Sequence, residues 1–359
     1  MGNLYVHFPF CRSKCSYCAL HSRAGTSQAD RDAYVRRLVE RLETEDLRHA
    51  TWDTIYFGGG SPALCDLSHL FSSLFPPRSS FLPPPSPLLP PPSSPPPEFT
   101  VELHPLDVTV ELLETLKSGG VNRISMGVQS LDDKTLALMR RGYTVDEAER
   151  AFRLIRERFD NAGIDLIVGY PGADDLSPSK LARLRDWGLR HCSVYSLILE
   201  EKSLLAGWIS SGKHSEIVLP DDDRTMDGLR AVAVFLKGIG LERYEISNYA
   251  VPGYECRHNL AVWRGEDYVG LGEGAYGRRG LARTRDGEVV EMLSAEKDAL
   301  ERRLFRLRTR EGLDATGHPE WGQTLRKYVQ EGLLTEAEAV FRLTERGMEV
   351  CDSILSELV

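Results

Sequence analysis

The stretch VHFPFCRSKCSYCALHS, residues 6–22, joins a short apolar run to three closely spaced cysteines. Cys11, Cys15 and Cys18 have the spacing C-x3-C-x2-C, and most of the residues between them are polar. A single cysteine is usually a small buried side chain, but this spacing lets three thiolates converge on one side of a loop. The stretch therefore predicts a β-strand that ends in a metal-binding loop.

Six short runs rich in β-branched and aromatic residues recur after the start of the chain, and helical periodicity or a glycine-rich turn follows each of them. Strands that alternate with helices form a mostly parallel sheet. Six such units predict a partial (βα)6 barrel of the TIM type, and an open doubly wound sheet is the alternative. The six predicted strands are Leu4–Phe8, Thr54–Phe57, Phe99–Leu103, Arg123–Val128, Ile164–Val168 and Ser193–Leu199.

Helix start signals support this alternation. Thr144, with Glu147 three positions further on, has the pattern of a capping box. Ser177 followed by Pro178 combines an N-cap residue with a proline in the first turn. Both signals predict helices between the later strands.

The barrel is predicted to occupy residues 1–215, and the character of the sequence then changes. Residues 216–289 are predicted to form an extension that covers the barrel and contains an HN-x3-W motif. The pattern of residues 290–359, a helix followed by a small strand pair and another helix, predicts a small α+β domain of the winged-helix type.

A proline-rich segment interrupts the pattern between the second and third strands, where the barrel would have a helix. Twelve of the 22 residues from Pro76 to Pro97 are proline. Neither a helix nor an inner strand tolerates this composition, so we predict an extended or disordered insertion. A docking site for a proline-binding partner and a corrupted stretch of translated sequence are the alternatives.

Charge and cysteine usage limit the classes of protein that fit. The chain has 359 residues and a net charge of −9 at pH 7, which argues against general binding of nucleic acid. No apolar run approaches the roughly 18 residues needed to span a bilayer, and the N-terminus does not read as a signal peptide. Seven cysteines, three of them bunched together, do not suggest a disulfide framework. We therefore expect a cytoplasmic protein without a transmembrane segment.

Two kinds of metal site suit the three bunched cysteines. A structural zinc site needs four ligands, and His21 would supply the fourth. A 4Fe–4S cluster held by three thiolates instead keeps one iron without a protein ligand, and an open position is where metal sites bind small molecules. The lack of a second cysteine pair favours the cluster. The other four cysteines are interpreted as buried core residues: Cys65, Cys192, Cys256 and Cys351.

The cysteine loop resembles the signature of the radical S-adenosylmethionine (SAM) superfamily, in which an aromatic residue, here Tyr17, commonly precedes the third cysteine. The resemblance implies that Cys11, Cys15 and Cys18 hold a 4Fe–4S cluster and that SAM binds the open iron through its amine and carboxylate. It also implies reductive cleavage of SAM to a 5′-deoxyadenosyl radical.

Residues at the predicted strand ends agree with this resemblance. Barrel enzymes build their sites at the carboxyl ends of the strands. The glycine run that follows the second strand lets a ligand approach the backbone closely, and it resembles the superfamily's motif for the methionine amino group. The residues that the resemblance places around SAM are Tyr5, Gly59, Gly60, Ser61, Glu102, Gln129, Arg141 and Asp165.

A narrower resemblance covers nearly the whole chain. YVHFPFCRSKCSYC, YFGGGSP, GVNRISMGVQSLD, IDLIVGYPG and YEISNYAVPGYECRHN are similar to motifs of the oxygen-independent coproporphyrinogen III oxidase family and its HemW branch. LRTREGLD and RLTERG resemble the family's accessory C-terminal domain, the HemN-type domain. The oxidases carry a further cysteine where this chain has Leu20, and a longer segment before the first cysteine. The resemblance therefore favours the HemW branch.

Members of the HemW branch are viewed as haem chaperones, which pass haem to acceptor proteins such as respiratory enzymes. The branch's HNxxYW motif is partly present at residues 258–263, where Val262 replaces the tyrosine. Imidazole is a common haem ligand, so His258 is the candidate axial ligand, and a hydrogen-bonded loop histidine is the alternative. Tyr276 also departs from the family, which commonly has histidine there.

Three functions follow from the resemblance. The first is a haem chaperone that carries a 4Fe–4S cluster and SAM, with haem as cargo and an electron donor as a further partner. The second is an oxygen-independent coproporphyrinogen III oxidase, which uses the adenosyl radical to convert coproporphyrinogen III to protoporphyrinogen IX with loss of carbon dioxide. A radical enzyme with another substrate is the third.

Overall fold

The computed structural model describes residues 2–44, 47, 50–75, 96–173, 177–212, 214 and 217–359. The proline-rich segment predicted at 76–97 lies outside the described residues, apart from Pro96 and Pro97. Within these ranges no helix combines the length and the apolar character needed to cross a membrane.

Most of the strands belong to one large sheet. The strands are β1 (Gly2–Phe8), β2 (Phe10–Cys11), β3 (Arg23–Ala24), β4 (Trp52–Gly59), β5 (Glu98–Leu103), β6 (Arg123–Gln129), β7 (Asn161–Val168), β8 (His191–Ser196), β9 (Glu242–Arg243), β10 (Asn248–Ala250), β11 (Tyr268–Leu271), β12 (Tyr276–Arg279), β13 (Ala282–Arg285), β14 (Glu288–Met292), β15 (Leu313–Asp314), β16 (Leu334–Ala337) and β17 (Val340–Leu343). The large sheet has twelve strands in the order β14-β13-β12-β11-β1-β4-β5-β6-β7-β8-β10-β9.

The six predicted strands are confirmed as β1, β4, β5, β6, β7 and β8, which lie side by side and parallel in chain order. A doubly wound sheet would reverse its strand order at a switch point, so this order excludes that alternative. The sheet does not close, because β14 and β9 are its two edges. The architecture is therefore the predicted partial barrel.

Most of the helices pack on the outside of this barrel or belong to the C-terminal region, whereas α9 contacts the polar side of β4. They are α1 (Gln28–Thr44), α2 (Ser68–Leu74), α3 (Val110–Ser118), α4 (Asp133–Leu138), α5 (Val145–Arg156), α6 (Pro178–Ala182), α7 (Leu204–Ser210), α8 (Asp222–Gly238), α9 (Arg257–Trp263), α10 (Ala295–Arg306), α11 (Gly322–Gln330), α12 (Glu345–Glu349) and α13 (Cys351–Ser356). The predicted capping box of Thr144 and Glu147 opens α5, and Pro178 is the first residue of α6.

The two faces of the sheet differ in polarity because successive strand residues point to opposite sides. On β1, the fully buried Leu4, Val6 and Phe8 belong to the hydrophobic core between sheet and helices. The residues that alternate with them are polar, and the same holds on the neighbouring strands. The concave side of the sheet is consequently lined with polar side chains, among them Asn3, Tyr5, His7, Thr54, Tyr56, Glu98, Thr100, Glu102, Arg123, Ser125 and Asp165.

The C-terminal region has a hydrophobic core of its own. It is built from α10, α11, α13 and the three-stranded sheet β15-β17-β16, with Trp321, Leu325 and Ile354 among its buried residues. This combination of short helices and an antiparallel sheet agrees with the predicted winged-helix-like fold. The domain boundaries at residues 215 and 289 remain predictions.

Candidate functional site

The cysteine loop is fixed to the rest of the barrel through Ser16. This side chain is fully buried, and its Oγ donates a hydrogen bond of 2.9 Å to the carbonyl of Leu138 and lies 2.7 Å from the hydroxyl of Tyr170. Its backbone N–H donates to the carbonyl of Met139 at 3.1 Å, and its carbonyl accepts from the N–H of Leu205 at 2.7 Å. The loop is thereby held at the carboxyl edge of the parallel strands.

The thiols of Cys11, Cys15 and Cys18 are partly exposed, in contrast to the other four cysteines, which are buried as predicted. Burial raises the pKa of Cys11 and of Cys18, and the neighbouring thiols of the loop raise both pKa values further. The loop thus does not surround the thiols of Cys11 and Cys18 with enough positive charge to favour their thiolates. An iron cluster supplies that charge, because a bound metal deprotonates its thiol ligands.

Arg141 reaches the cysteine loop from the residues that follow α4. Its Nη1 donates a hydrogen bond of 3.2 Å to the Sγ of Cys15. Its Nη2 donates to the carbonyl of Gly127 at 2.7 Å, and its Nε donates to the hydroxyl of Tyr143 at 3.0 Å. Arg141 was predicted to lie around SAM, and the structure places its guanidinium beside the cysteine loop.

The glycine turn after β4 packs directly on the cysteine loop. A Cβ on Gly60 would lie 2.3 Å from the carbonyl oxygen of Phe10 and 2.9 Å from the Sγ of Cys11. Gly59 has a φ of +105°, and a Cβ there would lie 2.5 Å from the ring of His7. Only glycine fits these two positions, so the turn forms a cradle next to the first cysteine.

Ser61 contacts the cysteine loop both through its own backbone and through Asp107, a residue that was not predicted. The buried carboxylate of Asp107 accepts hydrogen bonds from the Oγ of Ser61 and from the guanidinium of Arg12. The backbone N–H of Ser61 donates to the carbonyl of Phe10 at 2.7 Å. Ser61 was predicted to contact SAM, yet its described hydrogen bonds tie the glycine turn to the loop. Nothing in the sequence around Asp107 distinguished it from an ordinary turn residue.

Glu102 and Asp165 place two carboxyl groups inside the barrel near the glycine turn. Glu102 accepts hydrogen bonds from the hydroxyl of Tyr56 at 2.8 Å and from the N–H of Gly59 at 3.0 Å. Burial, helped by the charge of Asp165, raises the pKa of Glu102 to about 7. Asp165 accepts from the Oγ of Ser125 at 3.0 Å, and burial raises its pKa too. These carboxyls can accept hydrogen bonds from hydroxyl groups of a ligand.

Gln129 ends β6 in a left-handed conformation with a φ of 72°, which is uncommon for a residue other than glycine. The pairing of β6 with β7 shifts its register between Gly127 and Gln129. A Cβ on Gly127 would lie 2.6 Å from the Nε2 of Gln129 and 3.4 Å from the Nη2 of Arg141. Gly127 therefore makes room for two predicted SAM-binding side chains, a role that was not predicted.

Tyr5 lies on the same concave side of the sheet. Its hydroxyl is 3.0 Å from the Nδ1 of His7, and the Nε2 of His7 is 2.8 Å from the carbonyl oxygen of His21. The ring of Tyr5 is 6.1 Å from that of Tyr56, which holds Glu102. Tyr5 thus belongs to the wall beneath the predicted cofactor site.

The residues fit a cluster better than a single zinc ion. Among the described residues no three His, Cys, Asp or Glu side chains, those of the cysteine loop included, are arranged to hold a single metal ion. His21, the fourth ligand under the zinc alternative, has its Nε2 3.6 Å from a carboxylate oxygen of Glu273. The cysteine loop, the glycine cradle and the polar carboxyl edge instead surround one region, as a cluster with a bound small molecule requires. The cluster and SAM ligands remain predictions at the level of single residues.

The structure places His258 on α9, at the amino-terminal side of the strands, where its ring lies 6.4 Å from that of Tyr5 and 5.2 Å from that of Tyr56. Its Nδ1 lies 2.7 Å from the Oγ1 of Thr54, and its backbone N–H donates to Glu98 at 3.0 Å. Thr54 and Gly59 are separated by about 16 Å along β4 at the usual rise per residue. His258 is only 5 % exposed, and burial lowers its pKa to about 4. This setting matches the alternative of a hydrogen-bonded structural histidine, and haem ligation by His258 remains a prediction.

Comparisons with known proteins agree with the geometry. The model of the radical SAM superfamily matches residues 5–184, just over half of the chain. The heme chaperone HemW of Bacillus subtilis is 31% identical over the full length of both chains. That of Mycobacterium tuberculosis is 30% identical over 99% of this chain and 94% of its own, and that of Lactococcus lactis is 27% identical over 100% and 97%.

A solved structure matches the fold over almost the whole chain. The coproporphyrinogen III oxidase HemN from Escherichia coli, described as a radical SAM enzyme, matches with a TM-score of 0.79 at 20% identity, over 99% of this chain and 90% of that one. The chain therefore belongs to the radical SAM superfamily and, within it, to the HemW family. Its cofactors are those of the superfamily, a 4Fe–4S cluster and SAM.

Proposed function

We propose that this protein binds haem and transfers it to haem-accepting proteins, and that it carries a 4Fe–4S cluster and SAM. The observation that carries the proposal is the full-length similarity to proteins named heme chaperone HemW, which spans both the barrel and the C-terminal region. The proposed acceptors are proteins such as respiratory enzymes, with an unidentified electron donor as a further partner and the cytoplasm as the compartment.

The cysteine loop supports this proposal over an oxidase. Leu20 occupies the position where the oxidases have a further cysteine, and its side chain is 55 % exposed. The loop therefore offers three thiols and an apolar residue at its outer end. The structural likeness to the oxidase, at 20% identity, shows a shared fold and is no evidence for oxidase activity in this chain.

The chain's own residues have distinct proposed roles at the cofactor site. When bound, the cluster and SAM supply one-electron chemistry. Glu102, held by Tyr56 and by the N–H of Gly59, presents a carboxylate to ribose hydroxyls. Gly60 leaves open the space beside Cys11, and Arg141 fixes the loop through Cys15. These hydrogen bonds join residues of the chain itself, so they hold the site in place before any ligand binds.

The test is an anaerobic comparison of haem binding with oxidase turnover. The reconstituted protein is titrated with haem and, separately, incubated with SAM, a reductant and coproporphyrinogen III. The proposal predicts a haem spectrum and no protoporphyrinogen IX. Robust formation of protoporphyrinogen IX, or unchanged spectra on haem addition, would overturn it.

A variant pair tests the cluster ligands separately. C15A is expected to abolish the visible iron–sulfur absorbance, because a cube left with two protein thiolates is not retained. C65A is the matched control, since Cys65 is buried in the hydrophobic core and is not part of the cysteine loop. Retention of full absorbance by C15A would show that the ligand assignment is wrong.

A further inference from the structure

A cavity of about 470 Å³ lies between α8 of the barrel and the α12–α13 segment of the C-terminal region. It is of the size that proteins use for small-molecule ligands, about 300 to 1,000 Å³. No residue of the cysteine loop lines it, and its walls come from α8, from the ends of β8 and β10 and from the α12–α13 segment. The apolar residues of its lining include Leu229, Ala233, Ile246, Tyr249 and Met348.

One face of α8 supplies a wall of the cavity that combines apolar and cationic side chains. Met226, Arg230, Val234 and Lys237 all line the cavity, and their spacing of three to four residues puts them on one side of the helix. Val234 is 74 % exposed, although it is a large apolar side chain. This side of α8 therefore presents a mixed stripe of apolar and cationic side chains to the cavity and to solvent.

The opposite wall is also mixed. The thioether of Met348 and the side chain of Val350, which is 38 % exposed, line the cavity from the α12–α13 segment. Met226 and Met348 therefore line the same cavity from two separate helices. Methionine sulfur is an established axial ligand of haem iron.

The charges at the cavity suit a dicarboxylate. Arg230 forms a bidentate pair with Glu349 at 2.8 and 2.7 Å, and Arg308 pairs with Asp352 at 2.6 Å. Lys237 also lines the cavity and makes no ion pair in the part of the chain that the structure describes. A carboxylate of a ligand can pair with Lys237, and a second can replace Glu349 on Arg230, because one carboxylate substitutes for another at an arginine fork.

We propose that this cavity is the haem site, with the macrocycle between α8 and the α12–α13 segment, the propionates on Lys237 and Arg230, and a thioether of Met226 or Met348 on the iron. The inference rests on the proposed function, since it locates the cargo of the chaperone. It assigns haem to the seam between barrel and C-terminal region instead of to the buried His258. Haem binding would then break the ion pair between Arg230 and Glu349, which connects α8 to the α12–α13 segment.

A matched pair of variants tests the location in the full-length protein, by difference spectroscopy with haem and by fluorescence with metal-free protoporphyrin IX. V234D introduces a negative charge at the rim and is expected to weaken binding of both probes by about tenfold, or about 1.4 kcal/mol. V289D is the control, because Val289 is 58 % exposed on β14 and does not line the cavity. Equal affinities of the two variants would overturn the proposal.

Iron ligation has its own readout. M226L or M348L is expected to change the spectrum of ferrous haem, and to leave the binding of metal-free protoporphyrin IX within about twofold, since only the iron contact is lost. A spectrum that changes in H258A and stays unchanged in both methionine variants would overturn the thioether assignment. Haem binding by the wild type with no effect of V234D would refute the cavity while sparing the proposed function, whereas no haem binding by the wild type would refute both.

Discussion

The Nη1 of Arg141 donates a hydrogen bond of 3.2 Å to the Sγ of Cys15, while the same guanidinium also binds Gly127 and Tyr143. One side chain thereby connects β6 to the cysteine loop. A planar guanidinium serves three partners in fixed directions, and an ammonium does not reproduce that geometry. Arg141 is accordingly a residue whose shape matters as much as its charge.

R141K is therefore expected to lose cluster iron to a chelator about tenfold faster than the wild type, since a hydrogen bond to a charged group contributes about 1.5–3 kcal/mol. The measurement is iron release followed by absorbance under anaerobic conditions. R140K is the control, because the neighbouring Arg140 has an exposed side chain. Equal release rates for the two variants would contradict the role of Arg141.

G60A is expected to prevent stable cluster assembly. A Cβ at this position would lie 2.3 Å from a backbone carbonyl oxygen and 2.9 Å from the Sγ of Cys11, so the turn or the loop must move. Iron content after reconstitution measures the effect. G207A on α7 meets nothing within 4 Å and is expected to keep full iron content. Normal iron content in G60A would show that the turn accommodates a side chain.

Glu102 is expected to make the stability of the cofactor-free protein fall as pH rises. Its pKa is raised from the ordinary 4.5 to about 7 on folding, so the folded state binds the extra proton between these values. Its contribution is present below pH 4.5 and is lost as pH rises through about 7. Histidines with lowered pKa, such as His104 and His258, act in the opposite direction.

The difference in unfolding free energy between wild type and E102Q isolates this contribution, because the histidines are common to both. Denaturant unfolding at several values between pH 4.5 and 7.5 should show the difference shifting in favour of E102Q as pH rises. A difference that is constant with pH would mean that Glu102 does not titrate in this range.

H258A is expected to lower the free energy of unfolding by about 2 kcal/mol whether or not haem is present. The substitution removes a buried ring that contacts Thr54 and packs 5.2 Å from Tyr56. H69A is the control, since His69 is exposed on α2. Thermal unfolding of the cofactor-free protein measures both. A loss of stability seen only with haem bound would favour the ligand role instead.

Replacement of residues 76–97 by a short Gly-Ser linker is expected to change the free energy of unfolding by no more than about 1 kcal/mol. The rings of Phe75 and Phe99, just outside the segment, lie 6.1 Å apart, so its two ends are close together. The entropy of closing a loop depends only weakly on its length. A much larger loss of stability, or a loss of SAM affinity, would show that the segment contributes contacts beyond those of its last two carbonyls, which accept hydrogen bonds from Asn122 at 3.4 Å.

The sequence predicted the barrel because the pattern is local. Each parallel strand is an apolar run bounded by turn signals, as in Ile164–Val168, and the ends of these runs fall within three residues of the ends of the observed strands. The parallel strand β11 was missed, since its four residues Tyr268–Leu271 are short and glycine-rich and pair with a strand more than 260 positions earlier. Pairing at such a distance leaves no local signal.

The sequence predicted the candidate ligand residues of the site better than the residues that hold those ligands in place. The cysteines and Glu102 stand in motifs, whereas Asp107 and Gly127 act only through contacts that folding creates. His258 shows a further limit. A motif gives a position along the chain, but the depth of that position within the barrel depends on how α9 packs beneath β4.

β1 carries the cysteine loop and is flanked by β4 on one side and by β11 on the other. During synthesis, β1 remains a free edge until residues 268–271 have left the ribosome, and an unpaired edge strand is prone to wrong partners. The cysteine loop is thus synthesised early, but the second neighbour of its strand, β11, is synthesised late. Iron that binds the nascent chain would therefore bind before β11 pairs with β1.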